Sequence, residues 1–333
     1  MFDLLNKKQS NNYSEKLDQL FQPIKTDLCS LESFLNESLA SGNADLDKIT
    51  SYVFKSGGKR LRPAIIIVFI KALNQGKYVS EEQFSIAQAV EMIHTATLLH
   101  DDVIDEAETR RGVMTVWKKW GTKSAIITGD YILSRALNKL VKVGSIAVEM
   151  FSSVLNELCI GEILQENQKF KVITVDEYIN KSERKTAQLF MVGVECAASI
   201  MPNTNNLIIK AARGYSLNFG TAFQIIDDIL NFKNSKASDL KDGIVTAPVI
   251  FAVEEYAQKG DFTLKNLVEN GLKSDKDFKH AIKLVLASRG MEKARDLADE
   301  YAQRAISSLD VVPDNLYRHI LIDLANYTAE RVL

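Results

Sequence analysis

Apolar residues recur at spacings of three and four along almost the whole chain, and this period constrains the fold more than any other feature. Between residues 82 and 104, Ile86, Ala89, Val90, Ile93, Thr97 and Leu98 share one helical face. Few charges interrupt that segment, so it is expected inside a bundle rather than on its surface. There is no sustained β alternation and no Asn-Gly hairpin signal. The period predicts helices near 14–41, 44–55, 62–75, 80–105, 122–142 and 145–168, then near 175–200, 205–232, 245–259, 274–288, 290–309 and 314–331.

Only five prolines and sixteen glycines interrupt 333 residues, and no linker rich in Ser, Pro or Gly divides them. Pro63, Pro202, Pro248 and Pro313 fall close to expected helix starts, where a missing N–H costs least. The expected architecture is an all-α, single-domain bundle of about a dozen helices around a central cavity, over residues 1–333 with a flexible start at 1–13.

Several function classes are disfavoured. The net charge is −2 and the basic residues are dispersed, so the chain lacks the basic footprint of a nucleic-acid binder. Cys29, Cys159 and Cys196 lie far apart with no CxxC, and read as buried, reduced thiols of a cytoplasmic protein. The apolar run Ala64 to Ile70 is too short to span a bilayer, and the polar start is unlike a secretory or transit peptide. A peripheral membrane contact stays open if the product is greasy.

The segment LLHDDVIDEAETRRG crowds five carboxylates into the eight positions 101–108, at the expected C-terminus of a buried helix. That end of a helix disfavours anions, and like charges one turn apart, as at Asp101 and Asp105, add to the cost. Something cationic should offset it. A second segment, FQIIDDILNF, repeats the pattern with Asp227, Asp228 and Asn231. In each, residues i and i+4 share a face, so Asp101 with Asp105 and Asp227 with Asn231 form oxygen pairs. Hard oxygen donors without His or Cys point to Mg²⁺, which takes one or two carboxylates and completes its shell with water and substrate phosphate. One isolated copy would read as a solvated acidic turn; two copies behind buried helices favour a metal cradle. Neither copy has the ligand spacing of an EF-hand.

Cations that could meet phosphates accompany the acids. SGGKRLRP supplies Lys59, Arg60 and Arg62 beside two glycines that allow close backbone approach, without the spacing of a Walker loop. Arg110 and Arg111 follow the first acidic tip. Lys185 and Thr186 give a cation and a hydroxyl at the start of an apolar stretch, and Gln224 lies one turn before Asp228. His94, two turns before Asp101, serves either as a phosphate donor or as a satisfied core histidine.

With these motifs assembled, the chain resembles the trans-isoprenyl diphosphate synthases of the polyprenyl synthetase family. The likeness runs through GGKRLRP, HTATLLHDDVIDEAETRRG, GDYILSRAL, GEILQ, KTAQLF, GTAFQIIDDIL, DLKDGIVTAPVIFA and LANYTAERVL. It implies an all-α prenyl synthase fold and a homodimer that lengthens an allylic prenyl diphosphate with isopentenyl diphosphate. By motif match, Lys59, Arg62, His94 and Arg111 would hold isopentenyl diphosphate. Arg110, Lys185, Thr186 and Gln224 would hold the allylic diphosphate. Asp101, Asp102, Asp105 and Asp227, with Asp228 and Asn231 in support, would carry Mg²⁺.

In that family, bulky aromatics four or five residues before the first Asp stop growth at short products. Here those positions are Thr97 and Ala96, both small, so a medium-to-long polyprenyl product of the kind used for quinone side chains is expected. Leu137 and Leu140 are candidates for a deeper floor, or else ordinary core leucines. The chain departs from the family pattern at Asn231, where a third aspartate is usual, and at Ile244, where a lysine is usual and Lys236 or Lys241 would have to substitute. These departures raise the alternative of a weakly active or regulatory subunit of a heteromeric synthase. A terpene cyclase is disfavoured, because DDILN lacks the Asn/Ser/Glu triad.

Overall fold

The structure is a computed structural model that describes residues 15–233 and 237–331. The expected flexible start at 1–13, and Lys236, lie outside the described residues. Helices dominate, as the period required. They run Lys25–Ser38, Ala44–Lys55, Leu61–Leu73, Glu81–Ile104, Thr122–Val143, Ser145–Asn167, Val175–Ser182, Gln188–Ser199, Asn206–Lys233, Ala247–Gln258, Asp275–Ala287, Gly290–Ser307 and Leu316–Glu330.

Local chemistry explains where several begin and break. Ser80 and Gln83 form a reciprocal capping box at the head of Glu81–Ile104, with contacts of 3.3 and 2.9 Å. Thr174 and Glu177 do the same for Val175–Ser182. Pro23 divides the expected helix 14–41: a 3₁₀ turn occupies Gln22–Ile24 before the α-helix resumes. The expected helix 175–200 is interrupted by a π-helical turn at Glu183–Ala187.

Short elements escaped the periodic reading because they span less than two helical turns. These are helices Val116–Trp120, Ser238–Lys241 and Thr263–Glu269, and the antiparallel pair Thr109–Arg110 with Val113–Met114. The last is a two-residue hairpin whose corner, Arg111 and Gly112, has φ of +52° and +79°. Two consecutive positive φ angles are what such a turn demands, and only Gly112 meets them without strain.

The helix Glu81–Ile104 has 24 residues, about 36 Å of rise, and is buried along most of its length. It packs on Thr122–Val143, Leu61–Leu73 and Gln188–Ser199. The helix Asn206–Lys233 packs on Gly290–Ser307 and Gln188–Ser199, and its two halves belong to two apolar clusters. These two long helices carry the two acidic segments at their C-terminal ends. One expectation about the thiols needs correction: Cys196 is buried, but Cys29 and Cys159 are exposed, Cys159 on the wall of an open cavity. No described helix is long and apolar enough to cross a membrane.

Candidate active site

A cavity of about 980 Å³ opens where the two acidic helix tips meet the start of Leu61–Leu73 and the π turn. Lys59, Arg62, His94, Asp101, Arg110, Arg111, Lys185, Thr186, Gln224 and Asp227 all line it. Asp101 and Asp227 therefore face one compartment although they are far apart in sequence.

The basic wall begins at Ser56. Gly57, at φ +85°, turns its carbonyl toward the Arg111 guanidinium, which donates to it. Gly58 leaves room for that guanidinium, since a Cβ there would stand 2.8 Å from Arg111 Nη1. Arg60 takes a left-handed φ of +48° and turns inward. Its guanidinium donates to Glu32 at 2.5 Å, to Glu91 at 2.7 Å and to the Phe54 carbonyl at 3.2 Å. Arg60, grouped by sequence with the phosphate cations, is thus a tie between helices. Removing one partner from so buried a pair costs about 3–5 kcal/mol.

Lys59 and Arg62 flank it. Burial pushes the Lys59 ammonium down to about 8, with Arg331 adding to the effect. Burial pushes Arg62 down to about 10. Arg62 lies over the Phe190 ring at 4.6 Å, donates to His94 Nε2 at 3.1 Å, and keeps a buried Nε without a hydrogen-bond partner. Burial, followed by Arg62, Arg111, Arg110 and Arg60, holds His94 well below the ordinary imidazole value. The ring is therefore neutral, and because its Nε2 accepts from a guanidinium the proton sits on Nδ1. An unpaired guanidinium N–H among neighbouring arginines suits an anion.

The adjacent aspartates of the first tip point different ways. Asp101 faces the cavity, and burial raises its carboxyl to about 6, opposed by Lys185 and reinforced by Glu162 and Asp105. Asp105 caps the helix, and partial desolvation by its surroundings raises its carboxyl as well. Asp102 is buried behind them and accepts from Arg110 Nε at 2.6 Å. Tyr52 holds the hairpin that carries Arg110 and Arg111, donating from its hydroxyl to the Met114 carbonyl at 2.8 Å.

At the second tip Asp227 faces the cavity with Arg331 Nη1 at 3.0 Å, and burial raises its carboxyl. Asp228 is turned away from the cavity, and burial pushes it up to about 7. It accepts from Tyr178 and Gln224, each at 2.7 Å. Asn231 donates to Ser238 at 2.9 Å and Asp239 at 3.0 Å, so its amide ties down the following loop. The widened π turn brings both Lys185 and Thr186 to the wall, with Lys185 paired to Glu162 at 2.6 Å and Thr186 donating to Gln224 at 2.7 Å.

Below the acids, Thr97 lines the cavity and Ala96 is buried on the neighbouring face. Leu140 is fully buried and Leu137 half-buried in the packing between Thr122–Val143 and Glu81–Ile104, so the cavity stops short of both. Leu158, Cys159 and Phe223 form its apolar wall instead. The sequence reading also passed over Glu162 and Arg331 on this wall, although both sit in segments, GEILQ and LANYTAERVL, that carry the resemblance.

Comparison with known proteins agrees with this geometry. The polyprenyl synthetase family profile matches residues 43–285. A decaprenyl-diphosphate synthase of Dictyostelium discoideum is 35% identical, over 97% of this chain and 74% of that protein. The crystal structure of a decaprenyl diphosphate synthase from Rhodobacter capsulatus superposes with a TM-score of 0.86 at 31% identity, covering 95% of this chain and 99% of that one. A polyprenyl synthase from Caulobacter crescentus, solved with calcium and isoprenyl diphosphate, gives 0.86 at 27% identity over 95% and 98%. The chain belongs to the polyprenyl synthetase family and is a chain-elongating prenyltransferase.

Proposed function

We propose that the chain condenses isopentenyl diphosphate with an allylic prenyl diphosphate, using Mg²⁺, to give a medium-to-long all-trans polyprenyl diphosphate. The observation that carries this reading is that Asp101 and Asp227 share one cavity with a cationic wall and an apolar one. The donor set fits the metal: Asp101, Asp105 and Asp227 offer hard oxygens only. Among the described residues no three His, Cys, Asp or Glu side chains form a ready-made metal cluster. Mg²⁺ takes one or two carboxylates and would complete its shell with water and substrate phosphate.

Lys59, Arg62, His94 and Arg111 would grip the isopentenyl diphosphate, and Arg110, Lys185, Thr186 and Gln224 the allylic one. When bound, the metal draws off negative charge that builds on the departing diphosphate. The allylic C–O bond breaks, and the isopentenyl double bond attacks the resulting cation. The proton then lost goes to the released diphosphate, since neutral His94 is committed to Arg62 and the cavity aspartates are assigned to metal. Leu98, Leu158 and Phe223 keep water from the cation, and Thr97 leaves the shaft open for a growing chain.

A homodimer is part of this proposal. Helices Thr122–Val143 and Ser145–Asn167 expose Ile126, Ile127, Val141, Ile146, Ile160 and Ile163, an apolar surface that another copy would cover. We also read the two apolar clusters as one domain, because the helix Asn206–Lys233 runs through both. Free thiols suit a cytoplasmic setting, with peripheral membrane contact when the greasy product leaves. The test is to incubate the purified chain alone with isopentenyl diphosphate, an allylic primer and Mg²⁺ and to weigh the products. One defined product length is expected; no product unless a second protein is added would overturn self-sufficiency.

A further inference from the structure

Tyr178 is almost wholly buried and does not line the cavity, yet its hydroxyl ends a chain of hydrogen bonds that reaches the cavity wall. The hydroxyl donates to Asp228 Oδ2 at 2.7 Å, and Asp228 Oδ1 accepts from Gln224 Nε2 at 2.7 Å. Gln224 Oε1 in turn accepts from the Thr186 hydroxyl at 2.7 Å. The circuit closes through the backbone, because Tyr178 lies on the helix that runs into the π turn carrying Thr186.

The Tyr178 hydroxyl and the Gln224 NH₂ both donate to Asp228, and the Gln224 carbonyl accepts from Thr186, so the amide has a partner at each end while Gln224 lines the cavity. Both Asp228 oxygens already have protein donors, and the residue is 6% exposed. This differs from Asp101 and Asp227, which open into the cavity.

We infer that Tyr178 is a positioning residue for the allylic diphosphate: through Asp228 it fixes the Gln224 amide and the Thr186 hydroxyl, and Asp228 serves as this strut rather than as a metal ligand. The π turn gives the strut its purpose. Such turns are poorly self-sustaining, and the circuit pins this one from the neighbouring helix.

The inference rests on the reading of Gln224 and Thr186 as holders of the allylic substrate. Its test is steady-state kinetics of the full chain and of Tyr178→Phe, with farnesyl diphosphate as primer, isopentenyl diphosphate and varied Mg²⁺. The variant should raise KM for farnesyl diphosphate about tenfold, while KM for isopentenyl diphosphate stays within about twofold and half-saturation by Mg²⁺ is unchanged. Equal rises in both KM values, an unchanged allylic KM, or a shifted Mg²⁺ half-saturation would each overturn it. Asp228→Asn, which keeps the shape and alters only the donors, should show the same split if Tyr178→Phe does not fold. An inactive parent chain would sink the functional reading itself; an active parent with an indifferent variant sinks only the strut.

Discussion

Asp101 and Asp102 are neighbours in sequence, but only Asp101 faces the cavity; Asp102 accepts from Arg110 Nε at 2.6 Å behind it. One carboxylate thereby opens into the cavity while the next anchors the hairpin that carries Arg110 and Arg111. Asp101→Ala should lower kcat by roughly a thousandfold or more with the fold intact, whereas Asp102→Ala should act through Arg110 and chiefly raise KM for the allylic diphosphate. Near-normal turnover of Asp101→Ala at saturating Mg²⁺ would contradict the assignment.

The raised carboxyl of Asp101 also sets a pH dependence. Its value of about 6, against an ordinary 3.8, means that the fold binds this proton more tightly than the unfolded chain does. The stabilisation is complete below 3.8 and lost as pH rises through about 6. Without Mg²⁺, Asp101→Asn should therefore melt a few degrees above the parent at pH 8, on the order of 1 kcal/mol, and the gap should narrow at pH 5. Thermal unfolding at both pH values checks this, and a variant less stable than the parent at pH 8 would contradict it.

Gly58 stands where the two basic segments touch. A Cβ there would meet Arg111 Nη1 at 2.8 Å, the end of a side chain that can give way, and Arg60 Nη1 at 3.2 Å, which is held by Glu91. Gly58→Ala should lower the melting temperature modestly, where the Cβ presses on the Arg60–Glu91 pair, and raise KM for isopentenyl diphosphate roughly tenfold by displacing Arg111. Substrate titration of the variant reads this directly.

Thr97 lies one turn below Asp101 on the cavity wall. A turn rises about 5.4 Å, close to one extended isoprene unit, so a tyrosine there should block the shaft near its mouth. Thr97→Tyr should shift the product to a short chain, read by mass, with the first condensation preserved. An unchanged product length would mean that the chain grows along another path.

Asn231 and Asp239 are 3.0 Å apart. Asn231→Asp would restore the aspartate usual in the family and place two carboxylates face to face, with Asp239 already pushed up to about 6 by burial. The expected outcome is a lower melting temperature at pH 8 without Mg²⁺ rather than a gain in stability. A differential melt settles the sign.

Much of this protein follows from the amino-acid order alone, and the reason is range. The period that buries Ile86, Val90 and Ile93, the capping pair Ser80 and Gln83, and the acids at i and i+4 act within a few turns of one helix, so they can be read without the rest of the chain. What the order alone left undecided depends on residues far apart in sequence. Arg60 looks like its neighbours Lys59 and Arg62, and only packing against Glu32 and Glu91 makes it a tie. Asp228 looks like Asp227, and its partner Tyr178, on another helix, cannot be read from the residues around it. Side-chain direction at such positions is chosen by where a buried charge finds its partner, and that partner is brought within reach only when the helices pack.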